Sequence, residues 1–115
     1  MFLNSLGLAY AMINDFGMAF VHLNQSLQLL INNLGKNHIE VADVYFNLGD
    51  VTMKHVTDIE KIKGKQFYDK KMKLEEAKNF YLEAQRIVNS TFGHEHTKAL
   101  QLASLLFIIH HYESL

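Results

Sequence analysis

The residues best equipped for chemistry are the histidines, seven in 115 residues. Two close sets stand out: His94-x-His96 with Glu95 between them, and the adjacent His110-His111. A helix that binds a metal presents ligands one turn apart, as in His-Glu-x-x-His, and no such pair occurs. Neighbouring helical residues point about 100° apart, so His110 and His111 do not readily share an ion. The expectation is no metal and no cofactor. Other catalytic chemistry lacks its residues, since there is no cysteine, no Gly-x-Ser-x-Gly elbow and no phosphate-cradling glycine loop. Glu75-Glu76 are adjacent carboxylates, suited to the first turn of a helix, where the dipole favours negative charge. The chain is expected not to be an enzyme.

The elements that would carry these residues are helical. Apolar residues make up 49% of the chain and charged residues 20%, with no proline. Hydrophobic residues recur at helical spacing almost throughout, and nothing alternates over a strand's length. A chain of this size forms one domain, 1–115, and buries about two-thirds of its unfolded surface. The formal net charge is -1, so no global field draws nucleic acid or an anionic membrane. Nucleic acid is not an expected partner. The longest apolar run, Leu100 to Ile109, is about half the length of a membrane span. The stretch from Met1 to Phe16 lacks the basic lead-in of a secretory signal. With no disulfide framework available, a cytoplasmic location is expected.

The chain also repeats itself. Leu34-Gly35-Lys36-Asn37-His38 reappears as Phe92-Gly93-His94-Glu95-His96, and Leu6-Gly7 as Leu48-Gly49. Asp15-Phe16-Gly17-Met18-Ala19 returns as Lys73-Leu74-Glu75-Glu76-Ala77. Gly7 and Gly49 stand 42 positions apart, while Gly35 to Gly93 and Ala19 to Ala77 are both 58. The excess of 16 defines an insertion between Lys54 and Lys73. Repeat one covers about 1–35, repeat two about 36–93 with the insertion at about 55–73, and a partial third unit about 96–113.

Each repeat is predicted to be two antiparallel helices. The first runs from Phe2 to Ile13, with a turn and cap at Asn14-Asp15. The second runs from Phe16 to Leu34, with Phe16, Phe20, Leu23, Leu27, Leu30 and Leu34 inward and Gly35 ending it. A third spans His38 to His55, with Val41, Tyr45, Leu48 and Thr52 inward. A fourth spans Leu74 to Thr91, with Leu74, Ala77, Tyr81, Ala84 and Val88 inward. A fifth spans Thr97 to Tyr112. Gly7, Gly49, Ala19 and Ala77 are small enough for helices to cross closely. His38 and His96 fall at equivalent positions, as turn residues ahead of a helix.

Leu3-x2-Leu6-Gly7-x2-Tyr10 followed by Ala19-x3-Leu23 resembles the tetratricopeptide-repeat signature in spacing, with Leu3 in place of tryptophan. The second copy reads Tyr45-x2-Leu48-Gly49-x2-Thr52, then Ala77-x3-Tyr81 and Ala84. The long period, with Gly-x2-His before each first helix, is similar to the subclass found in kinesin light chains and related adaptors. Ile39 and Thr97 stand where that subclass usually carries proline.

The resemblance implies an antiparallel helical array of the α-solenoid kind, and a scaffold that binds a partner peptide or helix in a groove lined by the first helix of each repeat. From the first helix the groove would take Asn4, Leu8, Ala11 and Met12. From the third it would take the stripe Asp43, Asn47, Asp50 and Lys54, with Phe46 and Met53 beside it. Asn47 occupies the place of the family's peptide-holding asparagine, and an amide both donates and accepts. Asp43 and Asp50 would favour a partner with basic residues. The other reading of the stripe is an ordinary solvated helix face.

Seven of the eleven basic residues lie from Lys54 to Lys73 against Asp58, Glu60 and Asp69. Lys61, Lys63, Lys65, Lys70 and Lys71 form a candidate basic contact for RNA or anionic lipid, or else a polar segment kept for solubility. The segment is either a loop or an extension of its flanking helices. Leu105 to Ile109 make the fifth helix apolar all round. Another helix, a second copy of the chain, or the folded-back insertion would cover it.

Overall fold

A computed structural model of the chain describes residues 2–63, 69–93 and 96–113. Among these, five helices follow one another and no strand occurs, so the fold is all-α. They are α1 (Phe2–Met12), α2 (Phe16–Leu34), α3 (Ile39–Lys63), α4 (Asp69–Phe92) and α5 (Thr97–Glu113).

The turns follow from a few residues. Asn14 adopts a left-handed φ of 63°, which a short amide side chain tolerates. Next to it, Asp15 caps α2 by accepting from the Met18 N–H at 3.2 Å. The turns into α3 and α5 begin and end alike in their described residues, Gly35 and Gly93, His38 and His96. Gly35 and Gly93 both have φ of 90°, a region that only glycine enters without strain. Their N–H groups donate back to Ile31 and Asn89, each at 2.9 Å. Three residues on, the His38 and His96 imidazoles cap the new helices. Nδ1 of His38 accepts from the Glu40 N–H at 3.1 Å, and Nδ1 of His96 from the Lys98 N–H at 3.2 Å. Side-chain acceptance of this kind satisfies one of the orphan donors of a helix start.

Packing repeats in the same register. α1 lies on α2, α3 on α4, and the two pairs join through α2 with α3 and α1 with α3. At the first crossing Ala19 is fully buried, and a Cβ built on Gly7 would stand 2.7 Å from Leu23 Cγ. At the second Ala77 is fully buried, and a Cβ on Gly49 would meet the Tyr81 ring at 2.6 Å. Both distances are too short for real atoms. The glycines recur because each helix pair crosses where nothing larger than hydrogen fits. The core runs from Phe16, Leu23 and Leu30 through Val41, Leu48 and Val51 to Tyr81, Ile87 and Leu102.

Three expectations need correction. First, the helix bounds at His55 and Leu74 are too short: α3 runs eight residues past the one and α4 begins five before the other, so of the two alternatives left open for the insertion its described part is helix extension. Val56 is buried along this added length and Leu74 at its edge, and Lys70 Nζ meets Glu60 Oε1 at 2.6 Å. Residues 64–68, which include Lys65 and the Phe67-Tyr68 pair, lie outside the described residues. Second, Leu34 is exposed rather than inward, because α2 has already reached its C-terminal glycine there. Third, Tyr45 is half-buried, with its ring 6.5 Å from Phe80.

The outer side of α5 stays open. Ala99, Leu102 and Ile109 are buried, whereas Leu100, Ile108 and Phe107 are exposed, Phe107 by 73%. The described part of the insertion belongs to α3 and α4 and leaves this side uncovered. No helix among the described residues is long and apolar enough to cross a membrane.

Candidate interaction face on α1 and α3

Asn4 and Asn47, far apart in sequence, meet where α1 lies beside α3, with Asn47 Nδ2 donating to Asn4 Oδ1 at 3.0 Å. Each amide carries two N–H donors and a carbonyl with two lone pairs. Whichever way each amide is turned, the pair keeps donors and acceptors for another molecule. The two side chains are half-buried and hold each other's orientation.

The remaining members of the predicted stripe leave it in three directions. Lys54 reaches back to α1 and donates from Nζ to the Ala11 carbonyl at 2.8 Å. That oxygen belongs to the last turn of α1, where a cation complements the helix dipole. Asp50 turns towards α4 and accepts from the Tyr81 hydroxyl at 2.5 Å. Asp43 pairs through Oδ1 with Lys98 Nζ of α5 at 2.7 Å. A continuous solvated stripe is therefore replaced by side chains fastened to three neighbouring helices, and only Asn47 and Asn4 keep the pairing that suits a backbone grip.

The titration of these groups follows their surroundings. Desolvation on the side facing α4 raises the Asp50 carboxyl pKa, and the hydrogen bond from Tyr81 partly offsets it. Burial and the Asp50 charge together push the Tyr81 hydroxyl far up, so it stays a donor. Burial also raises Tyr45, assisted by Glu83 and opposed by Arg86.

Of the apolar members, Ala11 is buried, and Leu8, Phe46 and Met53 are half-buried against the core. Phe46 lies edge-on to Tyr81 with ring centres 5.9 Å apart. Met12 is 77% exposed at the end of α1. These residues do not merge into one apolar floor.

Two small clefts flank Asp43. One, of about 90 Å³, lies between α3 and α5 over Val88, walled by Ala42, Phe46 and Leu102 and rimmed by Asp43, Lys98 and Gln101. The other, of about 80 Å³, lies at the seam of α1, α2 and α3. It is lined by Asn4, Ser26, Leu30, Glu40, Asp43 and Val44. Ser26, Glu40, Lys98 and Gln101 are absent from the sequence-predicted groove. A hydroxyl at position 26, between Leu23 and Leu30 on the inward face of α2, is the signal that marks the second cleft.

The basic candidates are divided. Lys61 and Lys71 are exposed, while Lys70 is tied to Glu60. The side chain of Lys63 and all of Lys65 lie outside the described residues. Lys73 pairs with Glu76 at 3.3 Å and lies over the Phe20 ring, 5.8 Å from its centre.

Four of the histidines, His22, His38, His55 and His96, serve packing or capping. His22 stacks on Tyr10 with centres 5.3 Å apart, and His55 on Phe16 at 4.5 Å. His96 also stacks on Phe92 at 4.3 Å. Among the described residues no three histidine or carboxylate side chains gather in a way that would hold a metal ion. His94 and Glu95 lie outside those residues.

No protein-family model matches the chain, and no curated protein sequence matches it either.

Proposed function

We propose that the chain is a protein-interaction scaffold of the tetratricopeptide kind, acting in the cytoplasm and holding a partner segment along the face that α1 and α3 share. The observation that carries this reading is the Asn4–Asn47 amide pair at 3.0 Å. A partner backbone needs a donor and an acceptor fixed in advance, and ordering them before binding lowers the entropic cost. The duplicated turns and glycine crossings support the repeat assignment that gives Asn47 its role.

The test is a pull-down from cytosolic lysate with wild type and an Asn4→Ala, Asn47→Ala double variant whose helicity is checked by circular dichroism. A specific protein captured by wild type and lost from the folded variant supports the reading. Equal capture by both forms sinks it. Recovery of further copies of the chain alone favours a second reading, in which the open side of α5 around Phe107 and Ile108 joins helical units together.

A further inference from the structure

The 80 Å³ cleft between α1, α2 and α3 combines features that an ordinary packing seam lacks. Ser26 on its wall is fully buried, and its hydroxyl has no hydrogen-bond partner. Buried polar groups are nearly always paired, so an orphan facing a cleft marks a place for a ligand. Glu40 and Asp43, one helical turn apart in α3, put two carboxylates on the same cleft. Asn4 adds a carbonyl that accepts one N–H from Asn47 and has a second lone pair.

The lining is rich in acceptors. The first turn of α3 contributes a positive partial charge of about half a unit, which the full carboxylate of Glu40 outweighs, with Asp43 shared with Lys98. A cation is therefore favoured over an anion. The size selects among cations, since about 80 Å³ holds an ammonium and its last methylenes, with Leu30 and Val44 as the apolar wall. An ammonium directs three donors tetrahedrally, which suits acceptors spread over three helices, whereas a guanidinium demands a flat, paired set. Asp43 already holds one lysine of this chain, Lys98, on its other side.

We propose that this cleft seats a lysine side chain of the partner segment, and that Ser26, Glu40, Asp43 and Asn4 determine that preference. The inference rests on the scaffold reading above, and the Asn4–Asn47 pair beside the cleft holds the backbone from which the lysine enters.

The test uses the full chain and an array of blocked nonapeptides of randomised sequence, one position being scanned through Lys, Arg, Nε-acetyl-Lys and Glu. Affinities of binders are measured in solution by fluorescence anisotropy. Lysine peptides are expected to bind about tenfold more tightly than their acetylated forms, the worth of a charge-assisted hydrogen bond. Glu40→Gln with Asp43→Asn is expected to erase that preference, so that lysine and Nε-acetyl-lysine peptides bind alike. Ser26→Ala, which removes an unpaired hydroxyl, is expected to leave the thermal midpoint no lower and still to weaken the lysine preference. Binding without a lysine preference, a preference for arginine, or a preference that survives in the carboxylate variant overturns the lysine seat and leaves the scaffold reading standing. Binding of no peptide at all overturns both.

Discussion

The two helix crossings are the same device built with different second parts. In repeat one, Gly7 faces Leu23 and the Ala19 carbonyl; in repeat two, Gly49 faces the flat ring of Tyr81. Leu23, whose Cγ stands 2.7 Å from the added carbon, can make room by a rotamer change because no hydrogen bond fixes its side chain. The Tyr81 ring is held at both ends, by core packing and by the hydroxyl bonded to Asp50. An equivalent methyl group therefore does more harm where the neighbour cannot yield. Overpacking a well-filled crossing costs about 1–3 kcal/mol, against which helix propensity returns about 0.5–1 kcal/mol on going from glycine to alanine. Gly49→Ala is expected to destabilise by about 1.5–2.5 kcal/mol and Gly7→Ala by about 0.5–1.5 kcal/mol, measured by urea unfolding. Equal losses would mean that the Ala19 carbonyl, not side-chain stiffness, sets the limit in repeat one.

A second substitution asks what makes the ring stiff. Tyr81→Phe keeps the ring and removes the latch. Its cost is expected to be about 1 kcal/mol, below the ~1.5–3 kcal/mol usual for a bond to a charged group, because Asp50 is open to water on its outer side. The bond lowers the Asp50 pKa against desolvation. In the variant that carboxyl should titrate higher than in wild type, as followed by NMR. Combining Tyr81→Phe with Gly49→Ala sharpens the comparison: if the latch supplies the rigidity, the double variant loses less than the two single losses together. Strict additivity would put the stiffness in the core packing alone.

How much of this was legible beforehand depends on where the deciding partner lies. The bounds of α2 were open to reading because both signals are local, Asp15 ahead of the helix and Gly35 behind it. The matched offsets of Gly7 and Gly49 in the sequence point to a close crossing in each repeat. The ends of α3 and α4 were hidden for the opposite reason. Their added turns are rich in lysine and look like a loop in one dimension, and what sustains them is cross-helix: Val56, Leu74 and the Glu60–Lys70 pair. The face on α1 and α3 was legible by residue type and not by connection. Nothing near Asp50 or Lys54 in sequence reveals that one serves Tyr81 and the other the end of α1. Ser26 carried a readable signal, a hydroxyl on an apolar face, that periodicity alone passes over.

The third contrast sets the buried aromatic contact of the first pair against the extension of the second, and it is read by pH. His55 sits in α3 just where the extension begins, stacked on Phe16 and tilted against Phe20 at 6.4 Å. Its Nδ1 is buried without a partner. Burial chiefly, then the charge of Lys73, lowers its pKa below the ordinary 6.5, while Asp58 and Glu76 pull the other way. The unfolded chain thus takes up this proton first as pH falls. Stability linked to His55 is fully present above pH about 6.5 and is lost as pH drops towards the folded value. His55→Phe keeps a ring between Phe16 and Phe20 and has no proton to accept. Urea midpoints measured from pH 7.5 down to 5 should converge on a flatter line for the variant, with the gap opening in its favour below about 6.5. This is the smallest of the three effects, because His55 is only half-buried. Parallel curves would show that protonated His55 turns out to water at no cost, and that the extension is not fastened to α2 through this ring.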